Sequence, residues 1–198
     1  MNSVLLSMIG FAVAMYITPG PNNVMLASAG ANHGVRATLP HMLGIAAGFS
    51  VMLMAVTGGL GTLLLVWPPL LPVMRWIGAA WMLYLAWQIA SAPPPGEGER
   101  RRVLGVVGAA GFQWINPKAW LVALGAGSMF IDPGQPLLLQ VARIGLIFAL
   151  VAFPCMLPWV LLGKGARHVL RSQVQLRAFN IGMALLLVAC LVPVLTEH

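Results

Sequence analysis

The chain has 198 residues, of which 60% are hydrophobic and only 8% charged, and it carries a formal net charge of +7. A soluble domain is charged at roughly a quarter of its positions, so no stretch is left over for a soluble enzyme or a nucleic-acid-binding module, and the basic residues read as a topology signal. Apolar runs of about 20 residues, the length a helix needs to cross a bilayer, recur along the whole chain.

The first run covers about 3–28 and is interrupted by Thr18-Pro19-Gly20-Pro21-Asn22-Asn23. Each proline removes an N–H and clashes with a carbonyl one turn back. In lipid the freed carbonyls need partners, so such a break is stable only inside protein or beside a polar cavity. Broken helices at membrane depth build transporter sites; a simple kink is the other reading. The start, Met1-Asn2-Ser3, has no basic leader, and Ala27-Ser28-Ala29 lies beyond the break, so the first span is expected to be uncleaved.

A polar turn at 30–36 precedes the second span, about 40–66. That span carries His41 near its start and Gly44-x-x-x-Gly48, a pattern that permits close helix packing. Trp67-Pro68-Pro69 turns the chain into a third span at 70–91, and a polar linker fills 92–103. The fourth span, about 104–130, contains Gln113-Trp114-Ile115-Asn116-Pro117-Lys118. Asn followed by Pro is a helix N-cap and first helical position, so a helix starts anew there. Asp132-Pro133-Gly134 leads to a fifth span at 136–163, a basic loop follows, and a sixth span covers 175–195.

Loop Lys and Arg sort by side. Arg36, Arg100, Arg101, Arg102, Lys164, Arg167, Arg171 and Arg177 fall in the first, third and fifth loops, and the second and fourth have none. Odd loops are therefore expected in the cytoplasm and both termini in the periplasm. With Pro19 placed over Pro117, Tyr16 meets Trp114, Ile17 meets Ile115, Val24 meets Val122 and Leu26 meets Leu124. The third and sixth spans share Ile-Gly-x-Ala at Ile77 and Ile181. The expected fold is an all-α integral membrane protein forming one transporter domain. Its six helices make two inverted three-helix repeats, 1–91 and 104–198, with the first and fourth helices broken at their prolines.

The expected substrate site lies between the breaks: Thr18, Pro19, Gly20, Pro21, Asn22 and Asn23 from one, and Gln113, Asn116, Pro117 and Lys118 from the other. A helix N-terminus carries about +0.5 charge and attracts a carboxylate. Carbonyls upstream of a proline suit an ammonium, so a zwitterionic amino acid matches the pair. A mid-membrane lysine costs about 2.5–3.5 kcal/mol on insertion scales, and the four acids, Glu97, Glu99, Asp132 and Glu197, all lie in loops or at a terminus. Lys118 therefore faces a cavity, meets a substrate carboxylate, or sits nearer an interface. With no buried acid for a proton relay, His41 is the titratable candidate for proton coupling; a capping or interfacial histidine is the bland alternative. Cys155 and Cys190 form no C-x-x-C pair and read as buried apolar residues. No catalytic set, metal site or cofactor is expected; a membrane-embedded enzyme or thiol-redox conduit is the competing class.

Thr18-Pro-Gly-Pro-Asn-Asn23, His33-Gly34-x-Arg36, Gly44-x-x-x-Gly48, Arg75-Trp-Ile-Gly-Ala-Ala80 and Phe112-Gln-Trp-Ile-Asn-Pro-Lys118 resemble the LysE/RhtB amino-acid exporters over nearly the whole chain. The stretches Ser28-Ala-Gly-Ala-Asn-His-Gly34 and Leu85-Ala-Trp-Gln-Ile-Ala-Ser91 look most like the branch that exports cysteine and O-acetylserine. The resemblance implies a six-span bacterial inner-membrane homodimer that exports amino acids on an ion gradient, and the direction of transport rests on it alone.

Overall fold

The computed structural model describes residues 2–67, 69–92, 103–170 and 172–192. Most of the 92–103 linker, with Glu97, Glu99 and Arg100 to Arg102, lies outside the described residues, as do Pro68, Arg171, Glu197 and His198. Among the described residues all regular structure is helical. In chain order the α-helices are α1 (Asn2–Ile17), α2 (Pro21–His33), α3 (Val35–Thr57), α4 (Leu63–Val66), α5 (Leu70–Ala90), α6 (Val106–Ile115), α7 (Pro117–Phe130), α8 (Leu137–Val169) and α9 (Gln173–Ala189).

Helices stop where backbone chemistry stops them. α1 ends before Thr18-Pro19, and α2 begins with Pro21 as its first residue, bent by 57° from α1. Asn116 alone separates α6 from α7, with Pro117 at the first helical position. By length and composition, α3 and α8 can each cross a membrane, and α1 with α2 makes a third if the bent pair is one span.

Several boundaries differ from the sequence reading. α2 runs on through the expected polar turn to His33, and only Gly34, at φ 80°, breaks the chain before α3. Glycine adopts that left-handed geometry without a Cβ clash. α3 starts at Val35, carries Pro40 in its interior and ends at Thr57; a 3-10 turn (Leu60–Thr62) and α4 fill the remainder of the expected second span. α8 continues as helix to Val169, so Lys164, Arg167 and His168 ride on its last turns instead of a loop. α9 stops at Ala189, short of the expected 195.

Packing runs across the sequence midpoint. α2 lies along α8 and α3 along α6, while α3 also meets α8 and α5 meets α9. Two of these contacts are backbone to backbone. A Cβ built on Gly163 would lie 1.8 Å from the Ala27 carbonyl oxygen, and one on Gly30 2.2 Å from that of Val160. On the other side, a Cβ on Gly44 would lie 2.3 Å from the Val106 oxygen and one on Gly48 2.3 Å from the Ala110 Cα. Small residues let helices approach this closely, which is how helices associate when lipid is the alternative solvent. An aromatic cluster of Tyr16, Phe49 and Phe148, with Phe11 at its edge, joins α1, α3 and α8, its ring centroids 5.7–6.2 Å apart.

Candidate functional site

The two helix breaks meet. Lys118, in the first turn of α7, donates from its Nζ to the Thr18 carbonyl at 2.6 Å and the Pro19 carbonyl at 3.3 Å. Both carbonyls lie in the break between α1 and α2, outside either helix. A hydrogen bond from a charged donor contributes about 1.5–3 kcal/mol, so the contact offsets much of what the lysine loses on burial. Of the three ammonium hydrogens, these bonds use two. Gly20 makes room for the side chain: a Cβ there would lie 2.9 Å from Lys118 Cδ and 3.1 Å from Nζ.

One turn deeper, two amides face each other across the same junction. Asn22 Nδ2 donates to Gln113 Oε1 at 2.9 Å, and Gln113 Nε2 donates back to Asn22 Oδ1 at 3.2 Å and also to the Ala109 carbonyl at 2.8 Å. Asn23 spends both amide hydrogens on the Tyr16 and Thr18 carbonyls, each at 2.9 Å. At the second break Trp120 Nε1 donates to the Trp114 carbonyl at 2.8 Å. Tyr16 and Trp114 both stand three residues before their proline, so the same orphaned carbonyl is satisfied in both halves by a side chain from the downstream helix.

The two helix starts differ. Asn116 caps α7, its side chain accepting from the Lys118 backbone N–H at 3.2 Å. Gly20 precedes α2 and provides no side-chain cap. Unsatisfied first-turn N–H groups can bind anions, and of the two helix starts it is α2, with Lys118 beside it, that has no side-chain cap.

Two cavities flank Lys118. The smaller, about 40 Å³, is bounded by Asn22, Asn23 and Gln113 together with Tyr16, Phe49 and Phe148. The larger, about 320 Å³, is mainly apolar and includes Thr18, Pro19, Pro117, Arg75 and Cys190. Gly20, Pro21, Asn116 and Lys118 line both, so the lysine and the first break form the wall between them. All ten residues expected from sequence at the substrate site thus border one cavity or the other.

The remaining expected residues lie elsewhere. His41, on α3, is 2% exposed with no hydrogen-bond partner for either ring nitrogen, and it borders neither cavity. Gly44 and Gly48 form the contact with α6. Sequence reasoning missed Tyr16, Phe49, Phe148 and Met156 on the small cavity; the usable signal was the aromatic residue at the third position before each proline. Among the described residues no cluster of His, Cys, Asp or Glu is able to hold a metal, and the two cysteines are free thiols.

The chain matches the LysE type translocator family over residues 13–197. Among characterised relatives, it is 33% identical to a cysteine/O-acetylserine efflux protein of Salmonella typhimurium and to one of Salmonella choleraesuis, covering 90% of either chain in both comparisons. A cysteine/O-acetylserine efflux protein of Escherichia coli K12 is 29% identical, again over 90% of both chains. No solved structure matches the chain.

Proposed function

The chain belongs to the LysE type translocator family, and from that premise we propose that it exports a small amino acid or amino-acid derivative, of the cysteine or O-acetylserine kind, across the bacterial inner membrane. It is a transport protein and not an enzyme. The reading of the fold behind this is six spans in two inverted halves, 1–91 and 104–198, with 92–103 between them. The paired breaks, and the matching carbonyl bonds at Tyr16 and Trp114, support it. Periplasmic termini follow from the loop charges, and a homodimer from the family resemblance.

The observation that carries the site is the Lys118 ammonium on the Thr18 and Pro19 carbonyls beside the uncapped start of α2. The lysine occupies the acceptors that a substrate ammonium would use. A zwitterion can exchange with it: its ammonium takes the two carbonyls, and its carboxylate takes the released lysine and the first N–H groups of α2. Asn22, Asn23, Gln113 and Asn116 shape the space between. A site that fits substrate and lysine alternately gives the two states an exporter needs. Coupling to the proton gradient is part of the proposal, with His41 as the titratable residue.

Uptake of labelled amino acids into inverted membrane vesicles, screened as a panel with and without a proton gradient, tests the reading. Gradient-dependent uptake of cysteine or O-acetylserine is expected. Uptake no faster than in vesicles lacking the protein would end it, and a His41→Gln variant retaining full gradient dependence would remove His41 from the coupling.

A further inference from the structure

Tyr16 sits in the last turn of α1, three residues before Pro19, and lines the small cavity. It is 8% exposed, and its hydroxyl, closed off from solvent, has no hydrogen-bond partner. The neighbouring polar groups are committed. Asn22 and Gln113 bond each other, Asn23 holds the Tyr16 and Thr18 carbonyls, and Lys118 holds the break. Buried polar groups in native proteins are almost always satisfied, and an exception inside a site points to a ligand or water. The ring cannot swing away to find another partner, because Phe49 and Phe148 pack on it with centroids 6.0 Å away on either contact.

The cavity volume limits what can enter. It measures about 40 Å³, and one water-sized group needs roughly 10–15 Å³ of such space, so about three heavy atoms fit. A whole amino acid does not. Its ammonium and carboxylate belong at the Lys118 wall, which borders both cavities, and only its side chain fits the chamber. The remaining walls, Met15, Val122 and Met156, are soft and apolar, which suits a short carbon stem or a sulfur atom.

We propose that this chamber is the side-chain subsite of the transported amino acid, and that Tyr16 is its specificity-determining residue, selecting side chains of two or three heavy atoms that end in a hydroxyl or thiol. The proposal rests on the export reading and adds to it the identity of the preferred side chain. It ranks cysteine and serine above O-acetylserine, whose longer side chain overfills the chamber.

The test compares wild type, Tyr16→Phe and Val122→Ala in proteoliposomes, by initial transport rates of cysteine, serine, O-acetylserine and 2-aminobutyrate, the apolar isostere of the first two. Wild type is expected to move cysteine and serine about tenfold faster than 2-aminobutyrate, since a group built to bond a substrate hydroxyl discriminates against an isostere lacking it. Tyr16→Phe should erase that margin by slowing the two polar substrates while leaving 2-aminobutyrate within about twofold. Val122→Ala, which widens the chamber, should raise O-acetylserine relative to cysteine. A uniform slowing of every substrate in Tyr16→Phe would make the residue structural and overturn the proposal with export intact. Wild type moving polar and apolar isosteres equally would overturn it too. Wild type moving none of the panel would instead remove the export reading on which it stands.

Discussion

The first and second helix breaks share a proline and an orphaned carbonyl, yet they are finished differently. At the second break a single residue, Asn116, leaves the helix, and the bonds that finish it come from nearby: Asn116 caps α7 and Trp120 takes the Trp114 carbonyl. α5 presses against it so closely that a Cβ on Gly78 would lie 2.0 Å from the Ile115 oxygen. At the first break Thr18, Pro19 and Gly20 all leave the helix, α2 starts without a side-chain cap, and Lys118 from the other half of the chain bonds two carbonyls, that of Pro19 by itself and that of Thr18 together with Asn23. The second break is a finished joint that delivers a cation. The first is left incomplete, and its missing partner is supplied from about a hundred positions away. A carbonyl that a removable side chain holds is one a substrate can compete for.

Substitutions at four positions bear on that difference. Lys118→Met keeps the apolar stem and removes the charge, so the protein should insert and stay folded. Its export rate should fall about 100-fold, because the charge that would hold the substrate carboxylate is gone; Lys118→Arg should keep partial activity, since the charge survives in a larger head. Initial efflux per inserted protein decides this, and unchanged efflux in the Met variant would dissolve the distinction between the breaks. Gly78→Ala strikes the rigid joint. Overpacking against backbone costs about 1–3 kcal/mol, so thermal stability in detergent should drop by several degrees, with transport per folded molecule largely kept; the reverse pattern would mean the second break is the mobile one.

Gly20→Ala is milder. The new Cβ meets a flexible lysine and not backbone, so stability should hold while efflux falls about tenfold as Lys118 is pushed off the carbonyls. A stability loss without a transport loss would place Gly20 in the scaffold. Trp120→Phe, the smallest expected effect, leaves the Trp114 carbonyl unbonded. It should lower the melting temperature by a few degrees, as a lost hydrogen bond of about 1 kcal/mol does, with efflux within about twofold. A larger transport defect would show that the second break is less self-contained than its bonds indicate.

Both breaks were legible in the sequence, because proline and glycine act on their own backbone and need no tertiary context. The N-cap at Asn116 was readable for the same local reason, and Lys118 stands out as a charge within an apolar run. Helix ends governed by weaker signals were not. Ala-rich residues carry α2 past Ser28 to His33, and the basic residues at Lys164, Arg167 and His168 mark a polar environment without ending α8. The partner of Lys118 was not legible: the sequence suggests that the upstream carbonyls are open acceptors, and the structure has them occupied, with Lys118 lining both cavities. Pairings such as Asn22 with Gln113, or Asn32 with Asn180, which exchange amide bonds of 2.8 and 3.1 Å, leave no pattern along the chain because neither residue's neighbours announce the other.

The glycine contacts have a mechanical consequence. Gly30 and Gly163 fasten a first-half helix, α2, to a second-half helix, α8, and Gly44 and Gly48 fasten first-half α3 to second-half α6. With main chain resting on main chain, neither seam has side chains that could yield. Swinging residues 1–91 as one lever against 104–198 would tear both seams at once. Any lever in this molecule must therefore be assembled from both ends of the chain, with its pivot running between clasped pairs and not through the midpoint of the sequence.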